Sequence, residues 1–358
     1  MRVTTIITSL PPAIDGVGDY ALHLARRLRQ NFEIETHFIV GDPKWAGARQ
    51  IEGFAIAQVS ACSANALLSV LPSESATPVL LHYVGYGYAK RGCPIWLVDG
   101  LQRWQGANIE RSLVTMFHEV YAYGRPPWTS SFWLSPLQRN LAARLAKLSD
   151  RTLTSRQGYA KLLYKLSLGK QTQILPLPVF STIGEPEQVL PLAQRKPRVV
   201  VFGSPSNRLR VYRESFAQLS QICQCLGIEE IWDVGPSVSL GLSSVNGVPI
   251  VELGQQSATE ISNILLNSLA GFFDYHPDYL GKSTIFAAYC AHGLLPISPR
   301  YSTLPLDGLE GGKHYWMPDD PKPRHELQAI ATNAYAWYQS HNLPIHAKTF
   351  ASLLGNQK

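Results

Sequence analysis

The chain has 358 residues, of which 45% are hydrophobic and 10% aromatic, and a formal net charge of +6. That length is long for one core and suits two domains, and the composition excludes wholesale disorder. No apolar run reaches the roughly 20 residues that span a bilayer. The charge is uneven: residues 1–180 hold 19 Lys and Arg against 11 Asp and Glu (+8), and residues 181–358 hold 13 against 15 (−2). A basic front half suits nucleic acid, anionic lipid or an anionic small molecule, or is an ordinary solvated surface. The first residues run straight into a strand pattern without the layout of a signal peptide, so a cytoplasmic protein is expected. Five scattered cysteines, with no second pair at zinc spacing, read as free thiols.

Residues 2–9 read as a strand buried on both faces. A turn follows, Pro11-Pro-Ala-Ile-Asp-Gly-Val-Gly18, and then a helix whose Tyr20, Leu24 and Leu28 share one side. Strand, Gly-rich turn and helix make the first unit of a Rossmann-like half. Gly16-Val-Gly18 is too short for the dinucleotide fingerprint, and turn-making explains it equally well. Strands are expected at 33–40, 55–59, 78–83 and 113–117, with helices at 64–71 and 95–104. Val84 to Tyr88 and Tyr121 to Trp128 read as loops beyond strand ends. His118, at a strand tip, either points into the crevice with Glu119 to orient it or is bonded to loop backbone. Two basic helices, 134–148 and 159–168, suit either an anionic lipid surface or a plain wet face. The strand 151–155 lies between them.

A Pro-rich linker, 181–197, precedes a second α/β run. It comprises a strand at 198–202, a loop carrying Arg208 and Arg210, a helix at 212–226, strands at 228–234 and 249–253, and a helix at 258–267. The guanidinium forks of Arg208 and Arg210 match phosphate oxygens, or are surface charges. Strand 269–273 leads through a polar turn to a small-residue helix from about Ser283, ended by Gly293, and to strand 294–297. Ser283 or Thr284 is expected to cap that helix. Its N-terminal dipole and Lys282 then present positive charge outside the strand ends, where anions dock. Helices at 326–340 and 346–354 close the chain.

This layout resembles the GT-B architecture of nucleotide-sugar glycosyltransferases, and its motifs look like those of the retaining, family-four type. Pro11-Pro12 and Asp15-Gly-Val-Gly18 are similar to the family's Pro-Pro and Gly-Gly-x-Gly-like loop. His118-Glu119 resembles its His-Asp/Glu pair beside the donor sugar. Val199 to Arg210 resembles the start of its second domain, where Arg208 and Arg210 stand in for a diphosphate clamp. The resemblance implies two Rossmann-like α/β domains facing across a cleft: an acceptor-side domain (1–180), the linker (181–197) and a nucleotide-sugar domain (198–340). A C-terminal helix (341–358) packs back toward the N-terminal domain.

The resemblance also assigns catalytic roles to His118 and Glu119. Donor phosphates fall to Gly16, Gly18, Arg208, Arg210, Lys282, Ser283 and Thr284. It implies transfer of a sugar from a nucleotide-sugar donor to an acceptor (glycan, lipid-linked sugar or small molecule), with retention. No Asp-x-Asp motif occurs, and no cofactor or metal is expected. Nucleic acid is not an expected partner, since the basic residues are spread over separate helices. Contact with an anionic membrane through the basic helices is an option. The family's two motif glutamates fall at Leu280 and Ala288, and its Arg after Gly203 is Ser204. A catalytically inactive nucleotide-sugar-binding relative is therefore the alternative. Leu280-Gly-Lys-Ser-Thr284 is not a P-loop, because the required first Gly is His276.

Overall fold

The computed structural model describes residues 1–355 except 75, 125 and 321. Residue 125, in the expected 121–128 loop, and the end of the expected 341–358 segment therefore lie outside the described residues.

The chain forms, in order, β1 (Arg2–Ile7), α1 (Gly16–Phe32), β2 (Glu35–Val40), β3 (Gln50–Ile51), β4 (Phe54–Gln58), α2 (Ala64–Leu68), β5 (Val79–Tyr83), α3 (Gly85–Tyr88), α4 (Ile95–Gly106), β6 (Leu113–Phe117), α5 (Ser130–Leu148), β7 (Arg151–Thr154), α6 (Gln157–Leu166) and β8 (Leu175–Pro176). The alternation then restarts with β9 (Lys196–Phe202), α7 (Pro205–Glu214), α8 (Phe216–Leu226), β10 (Glu230–Val234), β11 (Ser244–Val245), β12 (Val248–Gly254), α9 (Ala258–Asn267), β13 (Ser268–Phe272), α10 (Thr284–Ala291), β14 (Leu295–Ile297), α11 (Arg324–Gln339) and α12 (Leu343–Gly355).

Two compact units result. Unit 1 is residues 1–178 with the segment from Leu343 onward, and unit 2 is Val179–Asn342. Unit 1 holds an eight-stranded sheet in the order β3-β4-β2-β1-β5-β6-β7-β8, parallel except for the β3–β4 pair. Val79 to Tyr83 and Leu113 to Phe117 are buried throughout, as strands covered on both faces must be. Unit 2 holds a six-stranded sheet, β11-β12-β10-β9-β13-β14, parallel except for β11–β12. Both units are Rossmann-like, as expected from the alternation, and α12 packs on α1 within unit 1.

The differences from expectation are local. Gly85 to Tyr88 is a short helix, and α5 starts a turn early because the Thr129 hydroxyl caps it at Phe132 N. Arg208 and Arg210 stand on α7 rather than in a loop. Ser204 caps that helix at Asn207 N and Pro205 occupies its first turn, a start signal in which proline is pre-organised for the helix. The segment expected as a linker is satisfied by unit 2. Ser181 N donates to Tyr338 Oη (2.9 Å) and Leu192 N to Gln328 Oε1 (2.7 Å). The buried Arg195 guanidinium donates to the carbonyls of Leu190, Leu265, Ser268 and His292. All five cysteines are free, and among the described residues no helix is long and apolar enough to cross a membrane.

Candidate functional site

In an open α/β sheet ligands dock beyond the carboxyl ends of the strands, where the strand order reverses. In unit 1 that point is β1, flanked by β2 and β5. The turn after β1 is organised by Asp15, which accepts from the Thr8 and Ser9 hydroxyls and, at 2.9 Å, from Val17 N as the cap of α1. The two expected glycines differ here. Gly16 is exposed, with nothing within 4 Å of where a Cβ would stand, so a ligand can approach the start of α1. A Cβ on Gly18 would overlap the carbonyl oxygen of Ser9, so that glycine lets α1 pack onto the end of β1.

His118 lies one residue beyond β6, its N–H bonded to Tyr83 O at 3.0 Å. Its ring is buried, with Nε2 3.0 Å from Nδ1 of His82 and the two rings stacked at 5.3 Å. Parallel register explains the meeting: His82 pairs with Met116, so His82 and His118 emerge on the same face of neighbouring strands. Tyr20, on the inner face of α1, stands edge-on to His118 at 5.0 Å. Its hydroxyl is 2.7 Å from His346 Nδ1, and His346 Nε2 donates to Pro178 O at 2.8 Å. That carbonyl fixes the His346 proton on Nε2, so Nδ1 accepts from Tyr20. Burial, and then the neighbouring His118, hold His82 well below the ordinary histidine range; burial takes His346 down to about 3. His82 and His346 are therefore neutral at physiological pH. Glu119 is half-buried, its N–H directed at Tyr83 O (3.4 Å).

The sequence does not point to His82 or His346, and it points to Tyr20 only as part of the apolar face of α1. A histidine inside the otherwise apolar Val79-Leu-Leu-His-Tyr83 strand was the available signal for the first. His346 is remote in sequence and carries none.

In unit 2 the strand order reverses at β9, between β10 and β13. Phe202 and Asn207 on one side, and Phe273, Asp274, Ser283 and Ile285 on the other, line a crevice there. The start of α10 opens beside it. Ser283 is buried and its hydroxyl accepts from Phe286 N at 3.2 Å, as a cap should, and Thr284 is the first helical residue. Lys282 closes the preceding 3₁₀ turn with its ammonium 5.6 Å from the Tyr279 ring. Lys282, Ser283 and Thr284 thus gather at one helix N-terminus.

The two arginines are employed differently. Arg208 is buried and ion-paired with Asp233, and it also donates to the carbonyls of Gly203 (3.1 Å) and Pro236. It ties the ends of β9 and β10 together from inside the unit. Arg210 is half-buried and donates to Asp274 O at 3.3 Å, beside the crevice. Asp274 in turn accepts from Ser215 Oγ (2.8 Å) and is ion-paired with Arg300. Leu280 and Ala288, the positions of the family's glutamates, are both buried apolar side chains.

No family model and no curated protein matches the sequence. Solved structures match over the full length. An α,α-trehalose 6-phosphate synthase from Burkholderia multivorans is 12% identical with a TM-score of 0.59, covering 99% of this chain and 95% of that one. An α-glucosyltransferase in complex with UDP and a 13-mer DNA is 10% identical with a TM-score of 0.61, covering 99% of each. A putative UDP-N-acetylglucosamine 2-epimerase from Listeria monocytogenes is 13% identical with a TM-score of 0.62, covering 99% and 95%. The likeness spans both units and their order along the chain, and the fold is the GT-B fold.

Proposed function

We propose that the protein transfers a sugar from a nucleoside-diphosphate donor to an acceptor, with retention and without a metal. The observation that carries this reading is the α10 N-terminus at the reversal point of unit 2, where Lys282, Ser283 and Thr284 gather beside a crevice. The full-length likeness to sugar-transferring enzymes supports it.

The charge to be stabilised is the departing diphosphate, and helix dipoles with fixed cations do this without reorganisation. In this scheme the α10 N-terminus, Lys282 and Arg210 take the diphosphate, and Arg208 shapes the crevice by holding β9 to β10. His118 holds the donor sugar, with Glu119 at the same strand end, and the exposed backbone at Gly16 admits the ligand. The bond from the anomeric carbon to the diphosphate oxygen breaks through an oxocarbenium-like state. The acceptor hydroxyl bonds to that carbon from the same face and passes its proton to the leaving diphosphate. The acceptor is a glycan, a lipid-linked sugar or a small molecule. The cationic helices α5 and α6 favour an anionic membrane as a further partner.

A second reading, an inactive nucleotide-sugar-binding relative, is favoured by Leu280 and Ala288, which fill both glutamate positions with apolar groups. Incubation with a panel of nucleotide sugars and varied acceptors separates the two. Release of nucleoside diphosphate supports transfer, and saturable binding without release, whatever the acceptor, supports the binding relative.

A further inference from the structure

The first two turns of α5 and the loop before them carry an unusual surface. Trp128 is 85% exposed and Trp133 73%, and Phe132, Leu137 and Tyr123 are exposed beside them. Phe132 and Trp133 meet edge-on at 5.4 Å, and Trp133 and Leu137, four residues apart, form one ridge. Burying large apolar groups is favourable, and two tryptophans left in water forgo that gain.

The surface is held firmly. Ser135 Oγ donates to Ala122 O at 2.8 Å, and the buried Gln138 accepts from Ala122 N at 3.0 Å and donates to Arg91 O at 2.8 Å. These bonds fasten the aromatic turn to the loop that follows His118.

Its charge is of one sign. Residues 120–149 contain no Asp or Glu. Arg139 is exposed on α5, and Lys90 and Arg91 are exposed on the segment that Gln138 grips. Tryptophan rings with cations at their rim match the boundary layer of an anionic bilayer, where indoles sit at headgroup level and Lys and Arg meet phosphates. We infer that Trp128, Phe132 and Trp133 insert into the headgroup layer of an anionic membrane while Arg139, Lys90 and Arg91 contact lipid phosphates. The inference rests on the membrane partner proposed above and moves the contact from the basic faces of α5 and α6 to this aromatic turn.

Flotation of the full chain with vesicles tests it, using phosphatidylcholine alone and phosphatidylcholine mixed with phosphatidylglycerol in equal parts. The wild type is expected to float with the mixed vesicles only. W128A/W133A, which removes two exposed side chains and keeps the wild-type melting temperature, is expected to lose about tenfold or more in partition. R139Q loses binding that added salt also removes. Equal partition of the tryptophan variant and the wild type overturns insertion. So does failure of the wild type to float, or a salt-stable dimer in solution that W128A/W133A abolishes. Tryptophan quenching by soluble oligosaccharides without vesicle binding assigns the surface to glycan stacking instead. Nucleotide binding, measured by calorimetry on the same preparations, stands apart: a protein that binds UDP but no vesicles fails only this inference.

Discussion

Nδ1 of His82 stands 3.0 Å from Nε2 of His118, on neighbouring parallel strands, and only one of the two nitrogens carries a proton. Among the described residues the other ring nitrogen of His82, Nε2, is buried without a hydrogen-bond partner. If His82 donates from Nδ1, that orphan is a lone pair; if His118 donates, it is a buried N–H, the costlier group to leave unmet. His82 therefore donates, and His118 carries its proton on Nδ1. The bond from His82 then fixes the plane of the His118 ring at the end of β6. The expected outcome for His82→Phe is a folded protein whose product release falls of the order of 10²-fold through misplacement of His118. Nitrogen-15 shifts of His118 report the tautomer directly in the unliganded protein; a proton found on Nε2 refutes this assignment.

The two glycines of the first turn have separate jobs, and alanine tells them apart. Gly18→Ala drives a methyl group into Ser9 O and is expected to cost about 2–4 kcal/mol in denaturant unfolding. Gly16→Ala meets nothing and leaves stability within about 0.5 kcal/mol. A bulkier Gly16→Phe is expected to weaken ligand binding while the melting temperature holds.

Arg208 and Asp233 form a buried ion pair, both side chains 1% exposed. Removing one partner strands the other charge, so Arg208→Ala is expected to lose about 3–5 kcal/mol. The double replacement Arg208→Met with Asp233→Leu is expected to recover much of that loss. Equal destabilisation by single and double variants would show that the arginine acts through its carbonyl contacts.

Each unit hides a histidine that resists protonation: His346 in unit 1, taken down to about 3, and His292 in unit 2, to about 4, both chiefly by burial. Their folded values lie below the unfolded value near 6.5, so the unfolded chain binds more protons in between. Their contribution is complete above about pH 6.5 and is lost as pH falls through the window to about 3–4, at about 1.4 kcal/mol per pH unit for each histidine. Urea titrations between pH 7 and 4 are expected to show this slope, with His346→Gln removing the share of that one histidine and leaving that of His82 in the same unit.

Much of the fold was legible because periodicity and caps act locally. The α1 ridge of Tyr20, Leu24 and Leu28 and the Ser283 cap of α10 both fall where the sequence puts them. The start of α7 was not read, although Ser204-Pro205 is a start signal, because the following residues show little helical apolar period. The site was legible only in part. The positions of His118 and of Lys282, Ser283 and Thr284 follow from strand ends. The His82–His118 contact depends on strand register, and the Tyr20–His346 bond joins residues 326 apart in sequence. The burial of Arg208 depends on Asp233 lying opposite it on β10, which no local pattern announces.

In the proposed function the α10 N-terminus, with Lys282, receives the diphosphate of a nucleotide sugar. Calorimetric titration with UDP, GDP and ADP, alone and as their sugars, on the wild type and on Lys282→Ala with Thr284→Val tests it most directly. One nucleotide family is expected to bind the wild type, and the variant, folded as judged by its melting temperature, is expected to bind at least about tenfold more weakly. Undiminished binding by the variant, or no nucleotide bound by the wild type, would contradict it.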